Sequence, residues 1–169
     1  MTAGVGAIAS VASGSGTPAL LKEMVARWRA AGIKVVGLTE EGHWLSGRTC
    51  NAGVLCDIAS GARYSIYRDV PLNATSCHID AAGAQAAGDA VLPQIATSDL
   101  VVLSKFGKLE AAGEGLAETF RAAVAARKPI LTTVSSLHRD AWCTFMPTAV
   151  MLEGTIAALD AWWAGARSR

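Results

Sequence analysis

The stretch VASGSGTPALL, residues 11–21, sits between a short apolar run and an amphipathic pattern, and its neighbours set the fold. On one side VGAIASVAS, residues 5–13, is apolar, short and followed by turn residues, as a buried strand is. On the other side Leu20, Leu21, Met24, Val25 and Trp28 recur at helical spacing, and Gly32 stops the pattern. IKVVGLTEE, residues 33–41, reads as a second buried strand. Strand, glycine loop, helix, strand is a βαβ unit, so its two strands run parallel.

The remaining chain extends this plan. A length of 169 residues with 51% hydrophobic and 17% charged residues predicts one folded domain over 1–169. Residues about 43–79 change texture: VLCDIAS and RYSIYRD, separated by Gly61-Ala62, predict an antiparallel hairpin inserted into the α/β pattern. Asp80 is placed to cap a helix through AAGAQAAGDAVLPQIA, in which Gly83, Gly88 and Pro93 weaken the pattern. DLVVLSKFG is a continuous apolar run of the kind that forms central parallel strands. EGLAETFRAAVAARK is a helix, PILTTV a strand, and SSLHRDAWCTFM a helix with Ser135 or Ser136 as cap. TAVMLEGT reads as an edge strand and TIAALDAWWAGAR as a closing helix. The expected fold is a three-layer α/β sandwich with a mostly parallel sheet and an inserted β-hairpin.

Composition narrows the partners. A net charge of +1 leaves no nucleic-acid footprint. No apolar run approaches the roughly 18 residues that span a bilayer. The N-terminus lacks the positive region and sustained apolar core of a signal peptide. Four cysteines, Cys50, Cys56, Cys77 and Cys143, make no dense disulfide framework, so reduced thiols and a cytoplasmic setting are expected.

Laid against the phosphate-binding loop consensus G-x-x-x-x-G-K-[ST], residues 11–21 match in shape and fail in chemistry. Gly14 and Gly16 stand among the loop glycines, but Thr17 replaces the lysine and Pro18 the metal-binding hydroxyl. Such a loop works through two separable devices. Backbone N–H groups and the helix N-terminus surround an anion. Lysine and a Ser/Thr hydroxyl then engage the outer phosphates and Mg²⁺. Ser13, Gly14, Ser15, Gly16 and Thr17 retain material for the first device, and the second is absent. Loss of the lysine removes about 3 kcal/mol of transition-state stabilisation, which argues against efficient phosphoryl transfer.

A strand neighbouring the loop strand ordinarily ends in a metal-binding acid. The strand expected in that role is DLVVL, and it runs into Ser104-Lys105. A cation thus stands where a carboxylate is expected. Lys105 or Lys108 could reach the anion held by the loop, with an ion pair from Lys105 to Glu110 or Glu114 as the structural alternative.

SKFGKLEAAGEGL resembles the DEIGKME segment of the thermophilic nucleoside-triphosphatases, small P-loop enzymes. Ser104 and Lys105 replace that family's Asp and Glu, and Gly107, Lys108 and Glu110 match its G, K and E. The chain is more similar to a bacterial family of unknown function related to those enzymes. That family shows a patchy glycine loop, a hairpin turn with Gly and Arg, a C-R/H-L/I-D segment and a strand ending NKFGKLE. The matching residues are Ser60-Gly61-Ala62-Arg63, Cys77-His78-Ile79-Asp80 and Ser104 to Glu110, with Asp160-Ala161-Trp162-Trp163 similar in the tail. The resemblance implies a P-loop-NTPase-like fold. It also implies a link to molybdenum metabolism, because relatives tend to lie near molybdate-transport genes.

Three functions remain open. In the first, the chain is an accessory protein that binds a small anionic ligand, molybdate, tungstate or a nucleotide, without rapid turnover. In the second it is an active nucleoside triphosphatase, with Lys105 or Lys108 as phosphate clamp and Glu110 as metal or water ligand. In the third it carries a metal or metal-oxo group on cysteines, with Cys77 and His78 as the leading ligands and His43, Cys50 and Cys56 nearby in sequence. No pair has the C-x2-C spacing of a structural zinc site. His138 reads as a surface or cap residue. Trp162 and Trp163 cannot share one helix face, so one of them is expected at an interface, and a homo-oligomer is left open.

Overall fold

The computed structural model describes residues 4–10, 16–42, 52–67 and 79–169. In chain order these are β1 (Val5–Ser10), α1 (Gly16–Ala30), β2 (Val35–Gly42), β3 (Ala52–Asp57), β4 (Arg63–Ser65), α2 (Ala81–Ile95) and β5 (Leu100–Phe106). Then follow α3 (Lys108–Ala111), α4 (Ala117–Ala125), β6 (Ile130–Ser135), a 3₁₀ turn (Ser136–His138), α5 (Arg139–Phe145), β7 (Val150–Leu152) and α6 (Ile156–Ala166).

The seven described strands form one sheet in the order β4-β3-β2-β5-β6-β1-β7. The five strands from β2 to β7 are parallel, and β3 and β4 add an antiparallel edge beside β2. Parallel strands covered on both faces must be apolar throughout, which is why VVL in β5 is fully buried at its centre. Helices α2, α4 and α5 cover one face around Phe106, Phe120 and Trp142, whose ring centroids lie 5.1–6.1 Å apart. Helices α1 and α6 cover the other, where Leu21, Met24 and Trp28 meet Leu159 and Trp163. Three layers, a mostly parallel sheet and an added hairpin are the architecture expected from the sequence.

The hairpin extends the sheet sideways. Its turn is shaped by Asp57, whose Oδ1 accepts the N–H groups of Ala59 and Ser60, while Gln94 on α2 donates to Oδ2. Helix α2 forms despite its glycines, because they serve packing. A Cβ on Gly83 would collide with the Ser65 carbonyl oxygen, and one on Gly88 would come within 2.5 Å of Thr119 Oγ1. Asp80 caps the helix as expected, its Oδ1 accepting from Ala82 N at 3.0 Å. Pro93 falls in the last turn, where the helix is about to end.

Two expectations change. Trp162 is half-buried over β1, so close that a Cβ on Gly6 would lie 2.8 Å from its ring, and Trp163 packs on Trp28 at 6.1 Å. Both rings therefore find partners within the chain, on different faces of α6. The second change is lateral. β5 does not neighbour the loop strand: β6 lies between β1 and β5. Strand pairing in the sheet is non-local, and DLVVL and PILTTV both read as buried strands, so their order was not written in either segment.

Candidate functional site

The C-terminal ends of β1, β6, β5 and β2 share one rim of the sheet, where α/β folds bind ligands. β1 ends at Ser10 and α1 begins at Gly16, both at this rim. Ser13, Gly14 and Ser15 lie outside the described residues. Among the described residues, a Cβ added at Gly16, the first residue of α1, meets no atom within 4 Å. Thr17 is half-buried in the first turn, and Pro18 is tolerated there because first-turn N–H groups have no helical partner. The first N–H groups of this 15-residue helix and its dipole favour a negative group at this end.

β6 supplies the next polar side chains. Ser10 is in register with Ser135, and Ser135 Oγ lies 2.7 Å from His138 Nδ1 in the following 3₁₀ turn. This pair therefore stands on the strand next to β1, whereas Lys105 stands two strands from β1. As the sequence suggested, Ser135 is the N-cap residue of the 3₁₀ turn and His138, half-buried, that of α5, but the sequence reading did not place them at the rim. The signal was available: a polar S-S-x-H run directly after a buried parallel strand sits where the rim must be.

Lys105 leans the other way. Its ammonium lies 3.8 Å from Glu40 on β2, on the far side of β5 from β1. The pairing with Glu110 or Glu114 considered from the sequence is thus replaced by one with Glu40. Adjacent Glu41 faces α1, where Lys22 approaches to 2.8 Å and Arg63 of the hairpin to 2.6 Å. The Arg63 guanidinium, then Lys22, hold the Glu41 carboxyl down to about 2. Arg63 also donates toward Cys56 Sγ at 3.6 Å, and burial raises that thiol's pKa. Arg63, the first residue of β4, thus sends its guanidinium to Glu41 near the C-terminal end of β2.

Glu110 is buried, and both its oxygens are engaged inside the protein. Oε2 accepts from Gly107 N at 3.0 Å and Oε1 from Leu116 N at 2.9 Å. Gly115, at φ +58°, makes room for it: a Cβ there would come within 2.5 Å of Oε1. Burial raises the Glu110 pKa, against the pull of the two N–H groups and Lys105. As placed, this carboxylate ties the loop after β5 into shape. Lys108 is exposed at the start of α3. His43, Cys50, Cys77 and His78 lie outside the described residues. Among the described residues no three His, Cys, Asp or Glu side chains gather as metal ligands.

The family described as protein of unknown function DUF2478 matches residues 6–162. The chain belongs to that family. The molybdenum import ATP-binding protein ModC 2 of Bradyrhizobium diazoefficiens is 35% identical over 144 residues, which are 82% of this chain and 16% of that protein. The chain therefore spans only a small part of that relative. A solution structure of a human cancer-related nucleoside triphosphatase superposes with a TM-score of 0.58 at 19% identity, over 79% of this chain and 76% of that one. The DUF2478 chain thus shares the P-loop NTPase fold. No helix among its described residues is long and apolar enough to cross a membrane.

Proposed function

We propose that this chain binds a tetrahedral oxyanion or a nucleotide phosphate on the rim at the N-terminus of α1, as an accessory protein in molybdenum handling that turns its ligand over slowly or not at all. The observation that carries this reading is the opening of α1. The helix points its first N–H groups over the mouth of the sheet, beside space at Gly16 that no described residue fills, while the side chains that follow are Thr17 and Pro18. Anion-attracting backbone is retained without the lysine and hydroxyl that handle Mg²⁺ and the outer phosphate. Molybdate and tungstate suit such a cradle because they are compact tetrahedral dianions that backbone N–H groups can surround. The name of the ModC 2 relative supports the molybdenum setting.

In this reading Ser13, Gly14, Ser15, Gly16 and Thr17 wrap the anion. Ser135 and His138 add donors from β6, and Lys105 or Lys108 adds charge from beyond it. Glu110 shapes the loop that carries the lysines. A thermal-shift and calorimetric series with molybdate, tungstate, sulfate and ATP tests it. At least one of these anions stabilises the wild type, and His138→Ala and Lys105→Ala each weaken that ligand. Absence of saturable binding by all four refutes the reading.

The shared fold with a nucleoside triphosphatase favours one competing reading, an active hydrolase with rearranged groups. Phosphate release from ATP or GTP with Mg²⁺ separates the two. Steady turnover abolished by Lys108→Ala supports the hydrolase, and background-level release supports the accessory protein.

A further inference from the structure

At the opposite end of the sheet, a cavity of about 670 Å³ opens where β5 and β6 begin and α6 ends. Its lining includes Asp99, Arg127, Lys128, Trp163, Arg167 and Arg169. β5 alone separates it from the rim by 7 residues, or roughly 20 Å at strand rise, so it is a different place from the glycine-loop mouth. Four cations face one carboxylate there, in a chain whose total balance is +1. Asp99 is already engaged, its Oδ2 accepting from Lys34 N at 2.7 Å, and Lys128 Nζ is steadied by the Ser98 carbonyl oxygen at 2.8 Å. Among the described residues, Arg127, Arg167 and Arg169 make no ion pair with a carboxylate.

Backbone conformation gives a second, independent observation. Arg127 follows α4 with φ +55°, and it is the one non-glycine residue at positive φ among those described. Its N–H bonds to the Val124 carbonyl oxygen and that of Lys128 to Ala123, the closure that ordinarily uses glycine after a helix. Helix α1, which ends at the same side of the sheet, does use glycine, Gly32 at φ +82°. A side chain at this conformation is disfavoured unless the side chain is wanted. Here it places a guanidinium at the cavity. Trp163, which forms part of the wall, buries its indole N–H without an acceptor.

We propose that this cavity binds a small organic or inorganic polyanion carrying a diphosphate or comparable pair of charges, independently of the glycine-loop ligand. Guanidinium groups match phosphate and carboxylate oxygens in a two-pronged geometry, and three without a carboxylate partner lining one cavity favour a ligand with two or more negative charges. The volume falls in the range of small-molecule sites.

The test is titration of the whole chain with inorganic pyrophosphate, tripolyphosphate and citrate, read by the ¹⁵N–¹H resonance of the Trp163 indole, assigned with Trp163→Phe. Pyrophosphate or tripolyphosphate shifts that resonance saturably, and the affinity falls as salt rises. Arg127→Gly weakens it about tenfold yet raises the melting temperature by about 2 °C, because glycine relieves the positive-φ conformation. A merely structural Arg127 cannot produce that opposite pair of changes. Arg167→Ala also weakens binding, whereas Lys105→Ala leaves the Trp163 response unchanged, so failure of the rim reading does not touch this one. Saturable citrate binding at the same resonance with phosphate excluded assigns the site to polycarboxylates, still within the proposed class. No saturable shift, an unchanged affinity in Arg127→Gly, or tighter binding of an acidic peptide than of tripolyphosphate overturns it.

Discussion

Two variants at Glu110 separate a motif that shapes a loop from one that holds a ligand. In the structure the Glu110 carboxylate accepts the Gly107 and Leu116 N–H groups at 3.0 and 2.9 Å, shielded from water. Glu110→Ala strands two buried donors, each costing about 1–3 kcal/mol, and the relief of burying a charge returns part of that. A net loss of about 3 kcal/mol is expected, which for a chain of this size lowers the melting temperature by about 6–12 °C. Glu110→Gln keeps one acceptor but turns an NH₂ toward the other N–H, so about half that loss is expected. Thermal unfolding followed by circular dichroism, without added anion, measures both. A pH series adds a sign. Because burial raises the folded carboxyl's pKa, the native chain binds this proton more tightly than the unfolded one. The Glu110 contribution is therefore full below its ordinary value of 4.5 and declines as pH rises through the raised folded value, a slope that Glu110→Gln lacks. If Glu110→Ala melts within about 2 °C of wild type while losing anion binding, the loop-shaping role is wrong and Glu110 belongs among the ligands.

Glu40→Gln releases Lys105 from a partly exposed pair worth about 0.5–1 kcal/mol, so anion affinity on the rim rises about two- to fivefold by calorimetry; no gain means Lys105 does not serve that site. Glu41, held down to about 2 by Arg63 and Lys22, contributes stability that is complete above 4.5 and is lost as pH falls toward 2. Solvent screening at this one-third-exposed side chain limits that contribution to about 1 kcal/mol, and Arg63→Ala removes most of it in acid-unfolding curves. Cys143 is exposed, whereas Cys56 is part-buried with its thiol pKa raised by that burial, so peptide mapping after brief iodoacetamide treatment at pH 8 finds Cys143 labelled well before Cys56. Equal labelling of the two refutes the placement of Cys56 in β3.

The fold was legible where local pattern and global role agree. The apolar run of β5, the 3.6-residue spacing of α1 and the Gly-Ala turn of the hairpin each carry their own signal, and each element formed where that signal lay. The rim was only half legible, because motif matching places residues at strand ends and says nothing of lateral order. Each strand interposed adds about 4.8 Å, and β6 interposes itself between the loop strand and KFGKLE. That one insertion changes the chemistry under discussion. Lys105, read from sequence as the substitute for the missing loop lysine, is drawn toward Glu40 and away from β1. Ser135 and His138, read as cap residues and found as caps, are also the side chains on the strand next to β1. The KFGKLE segment, the sharpest feature of the sequence, spends its carboxylate on two backbone N–H groups, with Gly115 conceding the space. A motif can therefore be kept for the turn it builds while the ligand-facing work passes to less distinctive residues on the neighbouring strand. Under the proposed anion-binding function, the hydroxyl–imidazole pair at the end of β6, one strand from β1, would shape anion preference more than Lys105, two strands away.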